Sequence, residues 1–308
     1  VRILVVGAGG IGGYYGGRLL EAGRDASFLV RPRRAAKLAA NGLAIRSPSG
    51  DAHLPAPDAL TADALAGRGP FDLVIVTCKA YDLPGAIEDF APAVGPGTVI
   101  LPTLNGMRHL DALDARFGRD AVLGGLCLIS TRLDDDGGIV HLSDVHRLTF
   151  GARSPAQAEA VRRVAEAFEG AKFEPVPSDD ATLAMWEKWA FLATLAGITC
   201  LMRAAIGDVV KAGGADLVHA LLDECRAIAE ANGRAPRPAF LEMSRTRLTD
   251  PSSTLTASML DDLERGGPTE ADHILGDLLR RAPAAPPPTS LLRAAFTAIR
   301  AQEHRAGR

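Results

Sequence analysis

A chain of 308 residues, 47% apolar and 23% charged, has the length for two ordinary domains and the balance of a soluble globular protein. Its formal net charge of −3 provides no basic field for nucleic acid, and an aromatic content of 5% offers few surfaces for base stacking. Four scattered cysteines (Cys78, Cys127, Cys200, Cys225), with no C-x-x-C pair and no histidine at metal-ligand spacing, read as reduced, mostly buried thiols of a cytoplasmic protein without a metal centre.

From the first residue, short β-branched runs alternate with helical patterns. Strands are expected at 3–6, 26–30, 73–77 and 98–101, with helices over 11–22, 33–40 and 83–91 between them, and a strand at 122–130 closes the series. The opening thus reads as a strand rather than a cleavable leader. Alternation predicts parallel strands with helices on both faces, and a continuous apolar run such as LVIV fits a sheet covered on both sides. Beyond about 178 the strand signals stop, and helical patterns occupy 180–202, 206–232, 237–248, 255–264, 268–282 and 289–303. The stretch PVPSDD at 175–180 marks a junction, with Ser178 or Asp179 expected to cap the next helix. The prolines of 283–288 serve as a connector. The longest apolar run, 189–202, is too short to span a bilayer, so no membrane is expected as a partner. The fold class is α/β: an N-terminal, Rossmann-type doubly wound sheet over 1–178 and a C-terminal all-helical domain over 179–308.

The opening GAGGIG matches G-x-G-x-x-G at Gly7, Gly9 and Gly12, after a strand and before a helix. Gly7 allows the tight turn, Gly9 lets a pyrophosphate approach the backbone, and Gly12 lets helix and strand pack closely. The N–H groups of Gly9, Gly10, Ile11 and Gly12 then face the phosphates at the positive end of the helix. In the second strand's wake comes Arg31, where an NAD site usually has a carboxylate, with Arg33, Arg34 and Lys37 behind it. A guanidinium can clamp a 2′-phosphate bidentately, so the site reads as NADP(H). One or two of the charges behind Arg31 are expected to be only a solvated helix start.

Two further strands end in polar residues at the same expected edge, Lys79 in VTCKAYD and Asn105 with Gly106 in LNGM. Lysine there can neutralise phosphate or steer an acidic substrate, and asparagine can donate and accept in a closed pocket. The plainer readings are an exposed loop residue and a simple turn.

Lys188 is the only cation on a helix apolar nearly all round until Arg203. Its plain role is a surface lysine paired with Glu187 or snorkelling. Its functional role is an amine held partly desolvated beside a nicotinamide, ready to give a proton to a developing alkoxide. Later, SMLDDLERGGPTEADHI offers Ser258 and, at a helix start, Glu270; His273, one turn on, reads as a neighbour or surface residue rather than the acid.

These residues resemble the ketopantoate (2-dehydropantoate) 2-reductases over most of the chain: the glycine turn, Arg31, VTCKAYD, LNGM, MWEKW and SMLDDLERGGPTEADHI, in that order. The resemblance implies a Rossmann domain, a helical domain and NADPH. It also implies Lys188 as general acid, Glu270 as substrate-binding glutamate and Ser258 on the substrate carboxylate, with Lys79 and Asn105 lining the cofactor–substrate cleft. Members typically carry asparagines four and eight positions after the lysine; here Leu192 and Ala196 stand there. That greasier wall suits a 2-oxo acid with a bulkier apolar tail.

The expected function is NADPH-dependent reduction of a small 2-oxo acid to a 2-hydroxy acid, with ketopantoate to pantoate leading. A dehydrogenase of the 3-hydroxyacid or 6-phosphogluconate type shares the plan, but Leu192 counts against it. A non-catalytic NADP(H)-binding sensor would not need Lys188, Glu270 and Ser258 together. Proteins of this plan commonly dimerise through the helical domain, which is the ground for a homodimer as the protein partner.

Overall fold

The computed structural model describes residues 1–307. They divide into two units, one of Val1–Leu104 with His109–Thr182, the other of Asn105–Arg108 with the chain from Leu183 onward.

The first unit contains β1 (Arg2–Val6), α1 (Gly10–Glu21), β2 (Asp25–Leu29), α2 (Pro32–Asn41), β3 (Leu43–Arg46), β4 (Ala52–Leu54), β5 (Ala59–Leu60), α3 (Ala62–Leu65), β6 (Leu73–Val76), α4 (Leu83–Phe90) and β7 (Val99–Pro102). After α5 (Arg108–Phe117) come β8 (Gly124–Leu133), β9 (Ile139–Gly151), α6 (Ala158–Phe168) and β10 (Glu174–Pro177). Strands β5, β2, β1, β6 and β7 form a parallel sheet in that order. Residues 3–6 of β1 and all of β6 and β7 are buried, as strands covered on both faces require. The register aligns Leu29 with Val6, Val6 with Val76 and Val76 with Pro102. The segments after β2, β1, β6 and β7 therefore leave from one edge, the carboxyl edge at which open α/β sheets take ligands.

The strand expected to close this sheet does something else. Val122 makes a single parallel bridge to Ile100, and β8 then runs antiparallel to β9. It joins a second sheet, of order β10-β9-β3-β4, that periodicity did not reveal. The outer half of β8, with Ser130, Thr131 and Arg132 among its residues, cannot fill a doubly covered central strand; its Leu128 and Leu133 are exposed. The junction expected at 175–180 includes this sheet's last strand, β10, which is parallel to β9. Ser178 still donates its N–H to Phe150 O, and the next helix begins only at Ala181, so neither Ser178 nor Asp179 adjoins it.

No strand follows β10 among the described residues. The second unit consists of α7 (Ala181–Met202), α8 (Ile206–Lys211), α9 (Ala215–Ala231), α10 (Pro238–Leu248), α11 (Ser258–Glu264), a π-helical turn (Asp272–Gly276), α12 (Asp277–Arg280) and α13 (Leu291–Arg305). The helix expected over 206–232 breaks at Gly213, whose φ is +89°. That expected over 268–282 starts late and opens as the π turn. Trp189, Ala193 and Ala196 of α7 are buried, as are Leu221 of α9, Leu275 of the π-helical turn, and Leu292 and Ile299 of α13. No helix among the described residues is long and apolar enough to cross a membrane.

All four cysteines are free thiols. Burial pushes the Cys200 and Cys225 thiols up to about 12, which makes them inert packing groups.

Candidate active site

The glycine turn is built as its spacing implies, with a separate cause at each position. Gly7 has φ +99°, a region that side-chain-bearing residues avoid, and its N–H donates to Leu29 O at 2.9 Å. A Cβ on Gly12 would lie 2.1 Å from Gly7 O and 2.2 Å from Thr77 Oγ1, so only glycine allows α1 to approach β1 and β6 this closely. Thr77 in turn donates its hydroxyl to Val6 O at 2.8 Å. At Gly9, which precedes α1, a Cβ would meet nothing within 4 Å, and no side chain caps the helix. Open space before uncapped N–H groups, with no acidic residue in the first turn, fits a pyrophosphate. Gly10 and Ile11 contribute through their backbone alone: a Cβ on Gly10 would strike Thr131 Oγ1, and the Ile11 side chain packs against the core.

Arg31 stands at the head of α2 with its side chain 77% exposed, and its guanidinium meets Asp82 Oδ1 at 2.5 Å. Because β2 and β6 are the two neighbours of β1, this pair spans the segments on either side of the glycine turn. Lys79, half-buried, opens the 3₁₀ turn Ala80–Asp82 that carries the carboxylate. Of the charges behind Arg31, only Arg33 is the exposed residue expected of a solvated helix start. Arg34 donates from Nε to Ala8 O at 2.9 Å and from Nη1 to Gly137 O at 2.8 Å, and Lys37 donates to Asp135 O at 3.0 Å. Together they tie the glycine turn and α2 to the turn between β8 and β9. Sequence reasoning missed this role of Arg34. The available signal was the spacing of Arg31, Arg34 and Lys37, which places all three on one helix face.

In the helical unit Lys188 lies well inside α7, half-buried. The pairing with Glu187 does not form. Glu187 is 2% exposed and accepts from Arg237 three times, from its backbone N at 2.8 Å, from Nε at 2.9 Å and from Nη2. No ion pair to Lys188 occurs among the described residues. Lys188, half-buried Leu192, buried Ala196 and Thr199 are spaced four, four and three apart and so share one face of α7. Thr199 Oγ1 on that face accepts from the N–H of Ala257 at 3.4 Å, which brings the start of α11 to it. Ser258 is the exposed first residue of α11.

Glu270 is buried at 8% exposure. Thr269 before it accepts from the Ala271 N–H at 3.2 Å, and its hydroxyl donates to the buried Glu303 at 2.6 Å. The π turn follows directly. Trp189, the residue after Lys188, donates its indole N–H to Ile274 O within that turn at 2.8 Å. His273 in the same turn is bonded through Nε2 to Asn105 O at 2.7 Å, and Arg108 reaches Asp272 at 2.8 Å. The elements bearing Lys188, Glu270 and Asn105 are thus joined around one irregular turn. His273 is a buried part of that junction, not a surface residue. Among the described residues no cluster of three or more His, Cys, Asp or Glu side chains could hold a metal ion.

Residues 3–155 match the family described as ketopantoate reductase PanE/ApbA, and residues 180–303 match its C-terminal region. The chain belongs to the ketopantoate reductase family. It is 40% identical over 283 residues to the uncharacterized oxidoreductase YkpB of Bacillus subtilis, covering 92% of each chain. It is 28% identical to a 2-dehydropantoate 2-reductase of Mesorhizobium japonicum, covering 97% of each. Among solved structures, the crystal structure of 2-dehydropantoate 2-reductase from Geobacter metallireducens GS-15 superposes with a TM-score of 0.88 at 27% identity, over 98% of this chain and 99% of that one. As a ketopantoate reductase family member, the chain is an oxidoreductase with a Rossmann unit for NAD(P)H.

Proposed function

We propose that this family member reduces a 2-oxo acid to the corresponding 2-hydroxy acid with NADPH, with 2-dehydropantoate as the leading substrate and Lys188 as proton donor. One observation carries the reading: Lys188 is half-buried, and the carboxylate beside it is taken up by Arg237. An amine so situated keeps its proton available for an oxygen that gains charge.

Bound NADPH supplies a hydride to the carbonyl carbon of the substrate. The N–H groups of Gly9, Gly10, Ile11 and Gly12 hold the pyrophosphate, and Arg31 takes the 2′-phosphate by exchanging its bond to Asp82 for one to the ligand. Lys79 adds positive charge at the same sheet edge, and Asn105 shapes the nicotinamide end. Lys188 Nζ donates its proton to the carbonyl oxygen as the alcohol forms. Glu270 and Ser258 orient the substrate, the first through its hydroxyl-forming end and the second through its carboxylate. A second reading rests on Leu192 and Ala196, whose apolar side chains follow Lys188 along its helix face and favour a 2-oxo acid with a larger apolar tail.

The test is loss of NADPH absorbance over a panel of 2-oxo acids that includes 2-dehydropantoate, with Lys188→Ala alongside. Turnover of at least one acid is expected, with kcat falling by about 10²-fold or more in the variant. Equal turnover by Lys188→Ala removes Lys188 from the mechanism. NADPH binding without turnover of any acid points to a sensor. Leu192→Asn is expected to move kcat/KM toward 2-dehydropantoate and away from apolar acids; no change in that ratio rejects the second reading.

A further inference from the structure

We infer that His273 is a positioning residue, a latch that holds the Asn105 backbone on the π-helical turn after Glu270 and so sets where Asn105 stands. The inference rests on the proposed function in one respect, that Asn105 belongs to the site.

The bond itself is well made. His273 Nε2 and Asn105 O are 2.7 Å apart, across 168 residues of sequence. A carbonyl can only accept, so Nε2 is the protonated nitrogen and the imidazole donates. Burial holds the His273 pKa below its usual value, ahead of the opposing influence of the Asn105 carbonyl and the carboxylates of Glu270 and Asp277. The neutral ring is therefore the form that makes this bond at neutral pH.

The chain opposite is shaped to receive it. Gly106 has φ +72°, and a Cβ there would stand 3.2 Å from both Cδ2 and the carbonyl oxygen of His273. The backbone at Gly106 thus lies close against the imidazole, in a conformation glycine adopts without strain. Arg108 and Asp272 flank the contact at 2.8 Å, but both are about half exposed, and an exposed pair of this kind contributes little. The part-buried hydrogen bond is the specific element of the contact. It agrees with the grouping of Asn105–Arg108 with the helical unit, while Leu104 and His109 on either side belong to the other.

The main-chain bond leaves the Asn105 side chain unencumbered by the latch while fixing its Cα. The same π turn accepts Trp189 at Ile274 O, so a single element registers both Asn105 and the helix of Lys188. A histidine serving only as a staple would affect stability. A positioning histidine would affect turnover at constant cofactor affinity.

The experiment compares His273→Leu, which fills space but cannot donate, with His273→Gln, whose amide nitrogen can reach as Nε2 does. Amide hydrogen exchange is followed at Gly106 and Met107 in the full chain, and kcat, KM and the NADPH dissociation constant are measured. For His273→Leu the exchange is expected to rise about tenfold and kcat to fall about tenfold or more, with NADPH affinity within twofold of wild type. His273→Gln is expected to recover most of both. Adding His273→Leu to Asn105→Ala should lower kcat little further than Asn105→Ala alone. Unchanged exchange at Gly106 and Met107 overturns the latch, and raised exchange with unchanged kcat overturns the positioning role. Should His273→Leu fail to fold, His273→Gln carries the test: recovery supports the inference, and kcat as low as that of Asn105→Ala overturns it. Equal turnover by Lys188→Ala is a different failure, of the proposed function, and leaves the exchange result to stand on its own.

Discussion

The two units present their candidate residues in different materials. In the Rossmann unit the candidate cofactor platform is main chain: a glycine at φ +99°, a helix start with no side-chain cap, and a contact closed to any residue larger than glycine at Gly12. In the helical unit the candidate groups are side chains, and they are fixed by hydrogen bonds between distant segments: Glu187 with Arg237, Trp189 with Ile274, His273 with Asn105. A platform made of backbone tolerates no substitution at its tightest point but is indifferent to much of what surrounds it. A site made of side chains degrades in steps, one hydrogen bond at a time.

The largest effect follows from Gly12→Ala. The added Cβ would meet Gly7 O at 2.1 Å, and a backbone oxygen in a strand-ending turn has nowhere to go. The expected cost is about 3 kcal/mol or more, at the upper end for over-packing, or a drop of roughly 6–12 °C in the melting temperature of that unit. Gly9→Ala sharpens the contrast within the same turn, because there the new methyl meets nothing within 4 Å. Its melting temperature should stay within about 2 °C of wild type, while NADPH affinity falls by about tenfold or more. If Gly9→Ala binds NADPH as well as the parent, the phosphates do not lie where Gly9 opens.

In the helical unit, Glu187→Ala removes an acceptor of three hydrogen bonds, yet Arg237 is 62% exposed and can return to water. The expected loss is about 1–3 kcal/mol by chemical denaturation, smaller for Glu187→Gln. A loss as large as that of Gly12→Ala would contradict the stepwise picture. Smaller again in stability is Arg31→Ala, whose partner Asp82 is partly exposed. Its melting temperature should not move, but the ratio of NADPH to NADH affinity should fall about tenfold or more, the worth of one guanidinium–phosphate clamp. An unchanged ratio assigns the 2′-phosphate to other residues.

This division also explains what the sequence disclosed. Turn geometry is local, so the three glycines could be read from six residues, and the parallel strands from their unbroken apolar runs. The second sheet was hidden because β8 and β9 carry mixed, half-exposed patterns and pair across a hairpin with a register shift after Ile129. The strand of 122–130 was assigned to the wrong sheet for the same reason. Among the candidate groups, Lys188 stood out as the only cation on a helix apolar nearly all round, and Glu270 by its place at an expected helix start. The partner of Glu187 was not, since Arg237 lies 50 residues away and nothing in its vicinity signals a buried acceptor. His273 could be located but not interpreted, because its bond to Asn105 exists only once a π turn has brought it there. Local chemistry is legible in a single sequence, and long-range hydrogen bonding is not.

The smallest effect tests that distinction through pH. Each unit contains a histidine whose pKa is lowered chiefly by burial: His146, bonded to Tyr14 on α1, and the more deeply buried His273. His273 is faced by Glu270, Asp277 and the Asn105 carbonyl, which oppose the shift, and by Arg108, which reinforces it; burial outweighs the sum. Unfolded, either ring takes up its proton near the ordinary value of 6.5. Between that value and the lower folded one, the unfolded chain binds the proton and the native one does not, so unfolding free energy rises with pH. The stability from the neutral ring is fully present above about 6.5 and is lost as pH falls toward the folded value. Denaturant unfolding between pH 7.5 and 5 should therefore weaken on the acid side in the wild type, less so in His273→Gln, with His146→Gln closer to wild type because its ring is less buried. Because the variant retains a donor to Asn105, any difference in slope belongs to the proton and not to the hydrogen bond. If His273→Gln loses stability on acidification as steeply as the parent, the buried ring is not what makes the helical unit acid-sensitive.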